Sequence, residues 1–135
     1  MKKICCFIII CLEFTYCNNY EIDDIKNIEG AWEVYSVSSK DEVFYPKGKS
    51  PLFDYYTFNS DSTGIKKKLK PNLDKTFSSS FDEIIFKINV VNDVVYLNYI
   101  SKTNSWKERI IKLTSKDLII SNNRFQYNYK RVEIN

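Results

Sequence analysis

Reactive side chains are unevenly placed along the 135 residues. All four cysteines, Cys5, Cys6, Cys11 and Cys17, fall at or before position 17, and there is no histidine. A disulfide framework for the remainder is therefore excluded, and the commonest general base and metal ligand are missing. The carboxylates Asp23-Asp24, Asp41-Glu42 and Asp82-Glu83 are sequence neighbours. Adjacent residues of a strand face opposite sides, so none of these is a ready acid/base pair. Gly48 and Gly64 stand alone and no Gly-x-Ser-x-Gly is present, so neither a phosphate-cradling loop nor a nucleophile elbow is encoded. No catalytic residue, metal site or cofactor is expected, and the chain is read as a non-enzyme. The one strong charge run is Lys66-Lys67-Lys68-Leu69-Lys70. Nucleic acid or an acidic lipid could engage such a run; the simpler expectation is an exposed strand whose lysines block edge pairing. With 20 Lys+Arg against 17 Asp+Glu, the net charge of +3 gives no case for a nucleic-acid binder.

The thiols belong to a targeting segment. Lys2 and Lys3 precede the apolar run Ile4 to Leu12, nine residues long, whereas a membrane-spanning helix needs about 20. The run therefore reads as a secretory signal and not a permanent anchor. Cys17 follows it directly and precedes the polar Asn18-Asn19. Phe14-Thr15-Tyr16-Cys17 resembles a bacterial lipoprotein signal of the Bacteroidetes type, in which the cysteine becomes the acylated first residue. Tyr16 is bulkier, and Glu13 more charged, than that pattern prefers. The resemblance implies a signal over 1–16, lipidation at Cys17 and a membrane-anchored protein of the bacterial cell envelope. The alternatives are simple secretion or a periplasmic location after cleavage near the same place, and an ordinary buried N-terminal element.

Beyond the tether, strands must position whatever site there is. Ile22, Ile25 and Ile28 recur at helical spacing with acidic residues early, which suits a short helical turn closing a 17–27 segment. From Gly30 the helical period vanishes. β-branched and aromatic stretches appear at 31–38, 53–59, 64–70, 82–91, 94–101, 105–113, 117–121 and 124–132, broken by turn residues such as Asn92-Asp93 and Asn122-Asn123. Short connections join antiparallel neighbours. Two longer links, 39–52 and 71–81, carry the three prolines. Eight strands in sequence with no covering helix predict an all-β, antiparallel up-and-down barrel over 28–135, closed by pairing its first strand with its last. Interior candidates are Tyr56, Phe58, Phe86, Ile88, Tyr96, Leu97, Tyr99, Trp106, Ile111, Leu118, Ile120, Phe125, Tyr127 and Tyr129. Alternation groups Tyr56 with Phe58, Ile111 with Leu113, and Phe125 with Tyr127 and Tyr129.

Ile28-Glu29-Gly30-Ala31-Trp32 resembles the Gly-x-Trp opening of lipocalin-like domains. Tyr56 to Gly64 is similar to their second-strand ending and turn, and Trp106 to Leu118 with Phe125 to Arg131 to their last three strands. The resemblance implies an eight-stranded barrel closed at one end by Gly30, Trp32 and the basic Arg131. It names no ligand. Small barrels of this size are filled by side chains or hold one small ligand. Two readings follow. The first is a lipid-anchored module binding a small apolar or amphipathic molecule among Tyr56, Phe58, Phe86, Trp106, Tyr127 and Tyr129, a set with rings and hydroxyls but no buried charge. The second is a solid barrel that contacts another envelope protein through its outer face. In either case the expected partners are the membrane, through the lipid, and that ligand or protein, with no nucleic acid and with the chain a monomer.

Overall fold

Eight strands hydrogen-bond in chain order and close on themselves in the computed structural model, whose described residues are 21–48, 52–80 and 82–134. They are β2 (Gly30–Ser38), β4 (Phe53–Phe58), β5 (Thr63–Pro71), β7 (Ile84–Val91), β8 (Val94–Ile100), β9 (Ser105–Leu113), β10 (Asp117–Ser121) and β11 (Gln126–Val132). Every consecutive pair is antiparallel. The seam joins β11 to β2, with Arg131 opposite Trp32 and Gln126 opposite Ser38. The fold is thus the all-β, eight-stranded up-and-down barrel that the alternation predicted. The lipidation position Cys17 and the signal segment lie outside the described residues.

Turn chemistry sets the register. Asn92 and Asp93 both have positive φ, which gives a two-residue hairpin the twist its strands need. Two other turns share one device. In Asn59 to Thr63 and in Asn72 to Thr76, the middle aspartate accepts from the threonine N–H, at 3.1 and 3.0 Å, and the asparagine N–H donates to the threonine carbonyl, at 2.8 Å in each. Ser62 and Lys75 take the left-handed position in them.

Three short strands lie outside the predicted set. β3 (Val43–Phe44) folds back on β2 and β6 (Phe77–Ser79) on β5, so both long links return to the strand they left. β1 (Glu21–Ile22) runs parallel to the end of β9, beside Lys112 and Leu113. That end projects past the last partner of β9 on β8, Val95 opposite Ile110, and leaves an edge to cover. The expected short helical turn is a 3-10 helix at Ile25–Ile28 whose N-cap Asp24 accepts from the Lys26 N–H at 2.9 Å.

The core comprises Ile28, Trp32, Tyr56, Phe86, Leu97, Tyr99, Ile110, Leu113, Leu118 and Ile120, all essentially solvent-free. Three interior assignments are corrected. A bulge opposite Ile119/Ile120 inserts a residue into β9, so Ile110 and Leu113 both point inward and Ile111 does not. Tyr96 faces outward beneath Lys107, and Phe125 is 41% exposed beyond the first residue of β11.

Candidate binding site at the open end of the barrel

One end is sealed. The 3-10 helix lies across it, and Trp32 donates from Nε1 to the Ile28 carbonyl at 2.8 Å. The Arg131 guanidinium sits 4.0 Å from the indole centroid. It donates from Nε to the Ser115 carbonyl at 3.1 Å, and from its terminal nitrogens to the carbonyls of Asn27 and Glu29. Those contacts press Arg131 against Gly30, whose φ of +121° and lack of room for a Cβ both demand glycine. Gly30, Trp32 and Arg131 are thus brought together at this end of the barrel. Phe58 belongs to this end as well, half-buried beside a groove of about 530 Å³ that Gly30, Tyr55 and Arg131 also line.

The middle of the barrel is filled. Tyr56, Phe86 and Tyr99 pack edge to face at centroid distances of 5.7 and 6.3 Å, and Trp106 stacks on Tyr99 at 5.0 Å. Tyr56 and Phe86 are fully buried and Tyr129 nearly so, so these three pocket candidates are core side chains. Trp106 and Tyr127, half-buried on β9 and β11, stand towards the other end, which the closure leaves free.

Charge lies on the inner wall, against the expectation of an interior without it. β4 and β5 pair Asp54 with Lys68, Tyr56 with Lys66 and Phe58 with Gly64. Tyr56 and Phe86 face in, so alternation brings Asp54, Lys66 and Lys68 in with them. Gly64 is where Phe86 crosses β5, and the ring leaves no room there for a side chain. The Asp54 side chain is 2% exposed, Lys66 15% and Lys68 49%. Lys66 Nζ stands 3.4 Å from Asp54 Oδ2 and 5.3 Å from the ring centroids of both Tyr56 and Tyr99; Lys68 pairs with Oδ1. Tyr129 donates to Asp54 Oδ2 at 3.0 Å, and the hydroxyls of Tyr56 and Tyr99 bond at 3.2 Å. The lysine run is thus split by the pleat: Lys66 is interior, whereas Lys67 lies over the outward ring of Tyr55.

These groups hold one another's charge. Burial pushes the Asp54 carboxyl up, but Lys66 and Lys68 outweigh it and leave its pKa below the ordinary carboxylate value. Burial also opposes the Lys66 ammonium, which Tyr56, Asp54 and Glu108 together hold above the ordinary lysine value. Burial raises the phenols of Tyr56, Tyr99 and Tyr129, so all three are neutral donors at neutral pH. The result is an ordered cluster with one cation, Lys68, half in solvent. Its sequence signal was the two-residue spacing from Asp54 to Tyr56 and from Gly64 to Lys66, masked by the usual assignment of charge to the outside.

The sequence model of the lipocalin-like domain family matches residues 28–120. No curated protein matches the chain. Among solved structures, a lipocalin-like protein from Bacteroides uniformis aligns with a TM-score of 0.48 at 8% identity, covering 78% of this chain and 99% of that one. An uncharacterized protein from Bacteroides eggerthii aligns with a TM-score of 0.48 at 11% identity, covering 77% and 98%.

Proposed function

Because this chain belongs to the lipocalin-like domain family, we propose that it is a small-molecule-binding module, tethered to the bacterial cell envelope by a lipid on Cys17, that takes an amphipathic ligand at the end of the barrel opposite Trp32. The observation carrying this reading is the Asp54, Lys66 and Lys68 cluster on the inner wall. Burying ions costs more than burying apolar groups of the same volume, so stability alone does not call for such a cluster. Its half-exposed member, Lys68, supplies a cation to an incoming carboxylate or sulfate, while Trp106 and Tyr127 supply apolar surface to the remainder. The filled middle supports a shallow seat near the rim and not a deep pocket. The same filling favours the second reading, a solid barrel that works through its outer face, so the ligand test decides between them.

Trp106 is the half-buried tryptophan and Trp32 the sealed one, so a fluorescence change on titration reports the open end. Dodecanoate should quench or shift the emission of the Cys17→Ser protein, dodecanol much less, and Lys68→Ala should abolish the difference. If neither amphiphile binds more tightly than about 100 μM, a free energy of about −5.5 kcal/mol, while a pull-down recovers an envelope protein, the solid-barrel reading replaces this one.

A further inference from the structure

A second site lies on the outside of the barrel and does not depend on the interior reading. Tyr96 of β8, Lys107 and Arg109 of β9, Ser121 of β10 and the following Asn122 and Asn123 line a groove of about 580 Å³. Arg109 is its centre, because the register sets Tyr96 opposite it on one side and Ser121 on the other. Its Nε donates to Ser121 Oγ at 2.7 Å, and that serine is only 4% exposed, so the guanidinium is fixed through Nε while its terminal nitrogens make no hydrogen bond among the described residues. Lys107 Nζ is positioned 5.0 Å from the Tyr96 centroid. Among the described residues neither cation pairs with a carboxylate, and Glu108 between them belongs to the inward-facing positions of β9.

Two acceptors of the groove, on Asn122 and Ser121, are already engaged. Asn122 Oδ1 accepts from the N–H groups of Arg124 and Phe125, at 2.9 Å each, which leaves its Nδ2 hydrogens unbonded among the described residues. Ser121 Oγ accepts from Arg109, which leaves its hydroxyl hydrogen to donate. Two cations, an amide, a hydroxyl and a phenol are thereby presented as donors with no carboxylate among them. A preset guanidinium beside an ammonium matches a tetrahedral oxyanion, which takes two N–H bonds from arginine at once. We infer that this groove binds the phosphate group of a phosphorylated ligand, with Tyr96 as a platform for the organic part.

A soluble phosphoester and a lipid headgroup share that chemistry, and two arms distinguish them. In the first, the full chain is titrated by calorimetry at low salt with inorganic phosphate and with glycerol phosphate; in the second, it is sedimented with phosphatidylcholine vesicles with and without phosphatidylglycerol. Arg109→Gln should weaken binding in whichever arm shows it by roughly tenfold, the effect of one lost charge-assisted contact, and Arg109→Lys should restore part of it. Both positions are exposed on a strand, and an unchanged melting midpoint without phosphate confirms an intact fold. Saturable binding of the soluble phosphates alone assigns a soluble ligand, and binding confined to phosphatidylglycerol vesicles assigns a headgroup. Absence of binding in both arms, or binding that Arg109→Gln together with Lys107→Gln leaves unchanged, overturns the inference.

Discussion

Asp54 and Lys66 carry opposite charges on neighbouring strands with both ends withdrawn from water, and neither is tolerable there alone. Removing one partner of such a pair costs about 3–5 kcal/mol, so Asp54→Asn should be destabilised by roughly that amount at neutral pH. The depressed pKa of Asp54 sets the sign of the pH effect. A carboxyl whose folded pKa lies below its unfolded value contributes stability above the unfolded value, about 4, and loses it as pH falls through the folded one. The gap in melting midpoint between wild type and Asp54→Asn should therefore narrow below about pH 4. Asp61, Asp74 and Asp117 are also depressed, but they titrate in both proteins and drop out of the difference. A gap unchanged down to the lowest pH at which both remain folded would mean that Asp54 carries no stabilising charge. The pocket candidates illustrate what was legible at this scale. Alternation predicts Tyr56, Phe86 and Tyr129 inside, where the structure has them, but does not by itself show that their neighbours Asp54 and Lys66 are buried on that face. Hydropathy assigns a charged residue to water, and only its cross-strand partner reverses that.

The barrel elements were legible because strands separated by turn residues betray themselves through period and punctuation. β1, β3 and β6 were not, since a run of two or three residues has no period to read. The bulge in β9 was invisible for a related reason. It displaces the alternation by one position without any glycine to mark it, so Ile110 took the place expected of Ile111. Closure is decided at the seam of β2 and β11, where Trp32 and Arg131 are opposite residues. Trp32→Ala empties a fully buried indole site and strands the Ile28 carbonyl, so it should cost about 3–5 kcal/mol in denaturant unfolding. A loss under about 1 kcal/mol, the scale of a surface substitution, would show that the seam does not depend on this plug.

For the whole molecule, the proposed lipid on Cys17 would set where the barrel works. Mass spectrometry of the membrane fraction should find a mature chain beginning at an acylated Cys17, and Cys17→Ser should leave it unprocessed or release it; a chain starting elsewhere without acyl mass would place the module in solution. What the sequence determined by itself was the architecture: the strand pattern, the absence of histidine, and the Trp32 and Arg131 positions that an in-order barrel must bring together. What the tertiary structure alone decided was the chemistry within and upon that barrel. Period-two alternation states which residues share a face, but not which face is inside where both carry charge. Closure settles that, and with it the burial of Asp54 and Lys66. The outer groove is likewise a product of register, because Tyr96, Arg109 and Ser121 lie on three strands and become neighbours only when β8, β9 and β10 pair.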